Sequence, residues 1–251
     1  GRRIARVPRG PEDETLLAAK TDPDDFAINQ GGWPTDAIGR WVDDPGVFAV
    51  SAQIFFLNQG KRREETGLTE GEFTRGFFRF GHVVEDVSTL YPTLYAGGGS
   101  TAYDRAKFLE LGGFDSLFHP FYVEDTDLSY NAWKRGWKVL YQPKAVVHHE
   151  HRGTIGKRFS PARIDAILKK NHALMVWKNV HRWSWLAPHF LWLYLHVVFS
   201  PLAPPGATRA TPAGYLGALQ GWGKALVRRW QARSRSAIDD VEALRRPLPA
   251  Y

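Results

Sequence analysis

The stretch FYVEDTDLSYNAWKRGW, residues 121–137, sets three carboxylates, Glu124, Asp125 and Asp127, in an aromatic frame at the start of a short apolar periodicity. Three chemistries suit such a cluster. Acidic side chains favour the first turn of a helix, where they meet free backbone N–H groups and the positive end of the dipole. Carboxylates also bind cations, and Asp125, Asp127, Ser129 and Asn131 follow the first four odd positions of an EF-hand loop. Tyr130 stands where that loop needs Gly and Gly136 where it needs Glu, which excludes calcium of that kind. A carboxylate held ionised at a helix start can, finally, take a proton from an attacking hydroxyl as a general base. Two other groups invite chemistry. Gly97, Gly98, Gly99 and Ser100 make a loop whose missing side chains let a substrate approach the backbone. In HHEHRG, strand alternation sets His149 and His151 on one face, and the zinc-protease spacing fails because Gly153 stands where its second His belongs.

The elements that must position these residues follow from pattern. GVFAVSAQIFF, residues 46–56, is a continuous apolar run after the turn signal DDPG and predicts a buried strand. Residues 57–90 are polar with scattered aromatics and are expected to cross the sheet edge without a long regular element. TLYAGGGSTAYDRAKFLELGGFD reads as a short strand, the glycine-rich loop and a short helix closed by Gly112. Leu128 and Ala132 give the next helix an apolar face, with Asp125 or Thr126 as its N-cap and Gly136 as its stop. WKVLYQP and AVVHHEH read as two short strands separated by Pro143. From Pro161 on the pattern is helical and aromatic, with the basic segment KALVRRWQARSRS. A last helix is signalled by the capping-box spacing of Ser236 and Asp239 and ended by Pro247. Residues 1–41 hold many Pro, Gly and Asp and are read as irregular. Asp22 and Asp24 in TDPDDF have Asp-x-Asp spacing, which turn chemistry explains.

A length of 251 residues predicts one main domain, and the formal charge of +7 favours anionic partners. The basic residues gather on no recognisable reading motif, so nucleic acid is not expected as a partner. Cysteine is absent, which excludes disulfides and thiolate metal sites and suits a reducing compartment. The opening GRRIARVPRGPEDETLL lacks the apolar core of a signal peptide, and a first residue of Gly1 suggests a fragment or a processed piece.

The run from Tyr95 to Gly156 resembles the C-terminal half of family 2 glycosyltransferases of the GT-A fold. It has a small-residue loop, an Arg-containing helix ending in Gly-Gly-Phe-Asp, and Glu-Asp-x-Asp-Leu on a helix closed by Gly. An edge strand with Pro and a strand ending in His before a Gly-Thr turn follow. DDPGVFAVSAQIFF is similar to the family's preceding strand. The resemblance implies that Asp125 is the catalytic base of an inverting transfer from a nucleotide-sugar donor to a hydroxyl of a glycan or lipid-linked acceptor. Glu124 would position the acceptor or the base, and the two adjacent carboxylates would raise one another's pKa. Asp127 would be structural. Gly97, Gly98, Gly99 and Ser100 would lie beside the acceptor and the donor sugar. His149, with His151 as a second candidate, would join a divalent cation (Mn or Mg) on the donor diphosphate. LVRRW carries Leu226 where processive synthases of the family carry Gln, and WKRGW breaks their Arg-Trp pair, so transfer of one or a few sugars is expected. No apolar strand followed by Asp-x-Asp precedes Asp43, so the donor-binding half is expected to be missing. The rival expectation is an inactive remnant serving as a membrane-surface or glycan-binding module.

The implied architecture is α/β: a GT-A-like, Rossmann-related mixed sheet flanked by helices, incomplete at its N-terminus. Its divisions are an irregular segment (1–41), the glycosyltransferase-like domain (42–180) and a helical, aromatic and basic extension (181–251). WSWLAPHFLWLYLHVVFS, residues 183–200, is at the short end of what spans a bilayer and contains Pro188, His189 and His196. Its tryptophans and basic flanks suit an element in the headgroup plane of an anionic membrane, and packing on the catalytic domain is the other reading. A cytoplasmic, peripheral enzyme at the inner face of the plasma membrane is the expected setting.

Overall fold

The computed structural model describes residues 16–18, 27–28, 44–56, 67–83, 87–149, 155–199 and 211–247. For 16–18, 27–28, Phe56, His148, His149, Gly156, Lys157 and Thr211 the description is of the backbone. Within the segment read as irregular lie two short strands, β1 (Leu16–Ala18) and β2 (Ala27–Ile28). The apolar run forms β3 (Val47–Phe56), whose side chains feed two hydrophobic clusters on opposite sides: Phe48 and Ala49 in one, Val47, Val50 and Ala52 in the other.

The span 57–90, expected to hold no long regular element, contains a separate hairpin, β4 (Thr69–Thr74) with β5 (Phe77–His82). Its two-residue turn is Arg75-Gly76, with φ values of 49° and 81°. Both are positive, as the tightest hairpin turns require, and Gly supplies the second at no steric cost. After β6 (Tyr91–Pro92) comes the glycine-rich loop, then a strand that pattern reading missed, β7 (Thr101–Asp104). Helix α1 (Arg105–Leu111) begins on the Asp104 carboxylate, which accepts the Lys107 N–H, and closes on Gly112 at φ 90°, as predicted.

A 3₁₀ turn (Ser116–Phe118) leads to α2 (Glu124–Lys134). The expected N-cap is corrected: Glu124 and Asp125 already lie inside the helix, and its N-cap is Val123, whose side chain cannot cap. The two strands expected around Pro143 are one, β8 (Lys138–His149). Its parallel pairing to β3 steps from Ala52↔Gln142 to Gln53↔Val146, leaving Pro143, which has no N–H to donate, in a bulge. The sheet runs β1-β7-β3-β8-β2, with β6 also on β8. Among the described strands only β3–β8 is parallel, giving the expected mixed sheet flanked by helices.

The rest is helical: α3 (Ile155–Arg158), α4 (Pro161–Asn179), α5 (Trp183–Phe199), α6 (Thr211–Gln220), α7 (Trp222–Ser234) and α8 (Asp240–Arg245). The capping box of α8 is shifted from the expected position: Asp239 caps it by accepting the Glu242 N–H, while the Ser236 hydroxyl donates to the Ala232 carbonyl of α7. Leu186, Tyr215, Ala218, Ala225, Ala243 and Leu244 of these helices belong to the same core cluster as Phe48 and Trp133, so their inner faces pack on the sheet domain. Among the described residues, no helix is long and apolar enough to cross a membrane.

His189 of α5 locks the hairpin. It is fully buried; its Nδ1–H donates to the Gly76 carbonyl (2.6 Å) and its Nε2 accepts from Trp177 Nε1 (3.0 Å). A Cβ on Gly76 would sit 2.5 Å from the His189 Cα, so the turn has no room for a side chain. Burial pushes the His189 pKa down to about 4, against the Gly76 hydrogen bond. In unfolded chain a histidine titrates near about 6.5, so between those values the unfolded state binds the extra proton and stability falls as pH falls. His189→Gln, which keeps a donor and an acceptor but does not titrate, is expected to give a shallower decline of melting temperature between about pH 6.5 and pH 4. Identical slopes for the two proteins would contradict this.

Candidate active site

Helix α2 is buried along most of its length, including the polar residues Thr126, Asp127, Ser129 and Lys134. Such a helix must find partners for its polar groups inside the protein. On one side its partner is the glycine-rich loop. The Gly98 N–H donates to Asp125 Oδ2 (3.3 Å), and one turn on, the Ser129 hydroxyl accepts the Ala96 N–H (3.2 Å). The loop is closed on itself by Ser100 N–H and Thr101 Oγ1, both donating to the Gly97 carbonyl. It is tied to β3 by the Ala52 N–H on the Ser100 carbonyl, and Tyr103 Oη donates to the Ala96 carbonyl. Asp125 and Gly98 are thereby brought together, with Glu124 half-buried beside them. A Cβ on Gly97 would meet only Ser100 Oγ, at an ordinary 3.6 Å, and Gly97 to Gly99 have no left-handed backbone, so neither packing nor conformation demands the first glycine.

The other Asp125 oxygen, Oδ1, accepts the Thr126 N–H (2.7 Å) and the Thr126 hydroxyl (3.3 Å), supplying the cap that Val123 cannot. Burial pushes the Asp125 carboxyl above the usual range, over the opposing hydrogen bonds from Thr126 and Gly98. Desolvation, more than the neighbouring carboxylate invoked from sequence, is therefore the leading cause.

Two features of this delivery were not anticipated from sequence. Tyr122 and Val123, directly before the carboxylates, have φ of 70° and 76°, a region costly for a β-branched residue. The strained turn is held from α4 by buried Asn171, whose Nδ2 donates to the carbonyls of Phe118, Phe121 and Tyr122 at 2.8–2.9 Å. Asp127 is structural, as the resemblance implied. Its Oδ2 lies 2.6 Å from Lys178 Nζ and its Oδ1 accepts from Asn179 Nδ2 (2.6 Å), while Lys178 also pairs with Asp115 (2.9 Å). Burial depresses the Lys178 ammonium, but Asp127 and Asp115 outweigh that and its pKa is raised. The signal for these residues was the polar set Asn171, Lys178 and Asn179 in the apolar run NHALMVWKNV: seven and eight residues apart, they share one helix face.

His149 ends β8, and its backbone pairs with Phe56 of β3 and Ala27 of β2. The carboxyl ends of the parallel pair β3–β8 therefore lie side by side, the usual ligand-binding edge of an open α/β sheet. The His149 side chain, His151, Asp22 and Asp24 lie outside the described residues. Among the described residues, no group of three or more His, Asp or Glu side chains could hold a metal ion.

The sequence profile of glycosyl transferase family group 2 matches residues 36–222. A pre-mycofactocin glycosyltransferase of Mycobacterium tuberculosis is 25% identical over 152 residues, 59% of this chain and 31% of the relative. An N-acetylglucosaminyl-diphospho-decaprenol L-rhamnosyltransferase of the same organism is 36% identical over 64 residues, 25% of this chain and 20% of the relative. The chain thus spans under a third of the length of these relatives. Among solved structures, GalNAc-T7 with UDP, GalNAc and Mn²⁺ aligns over 82% of this chain and 39% of its own, at 15% identity and a TM-score of 0.45.

The ion cluster behind the carboxylates is open to direct measurement. Lys178→Met would leave Asp115 and Asp127 buried without their ammonium and is expected to cost about 3–5 kcal/mol in urea unfolding. Asp125→Asn, which leaves that cluster intact, is expected to cost far less.

Proposed function

Because the chain belongs to glycosyl transferase family group 2, we propose that it transfers a sugar from a nucleotide-sugar donor to an acceptor hydroxyl with inversion, and that Asp125 is the base. The observation that carries this reading is the Asp125 carboxylate itself. One oxygen is held by the helix start and the other by the Gly98 N–H of the loop, and its pKa is raised by burial. A base poised above the ordinary carboxylate range suits proton abstraction near neutrality. In the proposed step the acceptor oxygen bonds to the anomeric carbon from the side opposite the diphosphate, and its proton passes to Asp125. The bond from that carbon to the diphosphate oxygen breaks, and its electron pair leaves with the nucleoside diphosphate. Glu124, at the same helix start, orients the acceptor or the base, and Gly97 to Ser100 border the two sugars.

The family resemblance supports a divalent cation on the donor diphosphate with His149 as a ligand; when bound it would neutralise charge on the leaving group. A lipid-linked acceptor is supported by the name of the decaprenol-dependent relative. The same reading sets the enzyme against an anionic membrane surface. The outer faces of α5 and α7 expose Trp183 (73%), Trp230 (74%), Leu191, Tyr194 and Val227, and α7 adds the exposed cations Lys224, Arg228 and Arg233.

Asp125→Asn is expected to lower transfer by about 10²–10⁴-fold while leaving the melting temperature nearly unchanged. Undiminished turnover in that variant, or a wild-type chain whose melting temperature no nucleoside diphosphate raises with Mn²⁺, would overturn the reading. For the membrane part, Trp183→Ser with Trp230→Ser should reduce cosedimentation with phosphatidylglycerol vesicles several-fold; equal binding by both proteins would refute it.

A further inference from the structure

A cleft of about 410 Å³ opens between the end of α1, the turn at Asp115–Ser116, α2 and α7. That is within the range of about 300–1,000 Å³ typical of small-molecule sites. It lies on a different side of α2 from the Asp125 carboxylate: Asp127, which lines it, is two residues on, and so about 200° round the helix.

The lining is charged and unbalanced. Lys134, Arg135, Lys178, Arg228 and Arg235 are set against Glu110, Asp115 and Asp127. Both lysines are committed, Lys178 to Asp115 and Asp127, and Lys134 to Asp240 outside the cleft. The three arginines are committed only in part, each with donors left over. Each guanidinium carries five N–H donors in a planar fork. Arg135 pairs through one NH1 with Glu110 and lies 5.1 Å from the Trp137 ring centroid, while its Nε is buried without an acceptor among the described residues. Arg228, 47% exposed, reaches Gln231 through NH1 (3.2 Å) and approaches Asp115 through Nε (3.5 Å). Arg235 donates through NH1 to the Glu110 carbonyl (3.3 Å). A buried donor left unpaired is costly, and a guanidinium fork matches the oxygens of a phosphoryl group two at a time.

We infer that this cleft is a second binding site, independent of the Asp125 site, in which Arg135, Arg228 and Arg235 hold the phosphoryl group of a phosphate-bearing ligand. The ligand is either a soluble phosphate compound or the headgroup of an anionic lipid, since Arg228 of α7 and Arg235, the residue that closes α7, lie on the same segment as the exposed Val227 and Trp230.

The test is calorimetric titration of the whole chain with inorganic diphosphate in EDTA, which silences any cation-dependent donor site. One site is expected in the wild type and in Asp125→Asn. In Arg228→Gln/Arg235→Gln, whose positions are exposed enough to leave unfolding by urea unchanged, Kd is expected to rise about tenfold or more, as loss of charge-assisted hydrogen bonds predicts. No binding by the wild type, or equal binding by the double variant, overturns the inference. Competition by vesicles then separates the sources. Displacement of diphosphate by phosphatidylglycerol vesicles, and not by phosphatidylcholine alone, assigns the site to a headgroup; failure of both to displace it assigns the site to a soluble phosphate compound.

Discussion

A lysine ammonium taken out of water is tolerated only where carboxylates meet it, and Lys178 is such a group. It is 9% exposed and stands between Asp115 and Asp127, which are 9% and 3% exposed. Through it the end of α4, the turn after α1 and the first turn of α2 are fixed to one point. Lys134, at the far end of α2, repeats the arrangement with Asp240, which also accepts the Tyr130 hydroxyl and the N–H groups of His181 and Arg182. Helix α2 is therefore pinned at both ends by buried ion pairs. That anchoring lets it carry two carboxylates at its start without moving to relieve the strain in front of them.

The strain at Tyr122 and Val123 and the hold of Asn171 on the same turn belong together. A chain that adopts two consecutive left-handed residues returns to an ordinary conformation unless something over-determines it. Three carbonyls drawn onto one amide do so here. The result is that Asp125 meets the loop at Gly98 from a fixed direction, with its second oxygen spent on the helix backbone rather than free to rotate.

What could be read from the residues alone was local. The apolar run of β3, the helix stop at Gly112 and the acidic motif all announce themselves within a few residues. The hairpin β4–β5 did not, because its aromatic residues are covered by partners remote in sequence: Phe73 stacks on Trp185 at 4.5 Å, and Phe77 lies against His189. Pro143 suggested a break and instead sits in a bulge, since a proline interrupts hydrogen bonding without ending a strand. The site divides in the same way. Asp125 and its loop followed from a motif, whereas the shared helix face of Asn171 and Lys178 marks them as buried polar residues without naming their partners, which lie about fifty residues away.

The pairing of Lys134 with Asp240 spans 106 positions of chain. During synthesis the N-terminal parts of a protein emerge first, at about 5–20 residues per second. Helix α2 therefore leaves the ribosome well before the carboxylate that neutralises its last turn exists, and until then Lys134 can enter the interior only as an unmatched charge. The proposed catalytic helix is in this sense fixed late rather than early: its position is set when α8 arrives. A nascent chain stopped short of Asp240 would hold the whole acidic motif and still lack the frame that aims it.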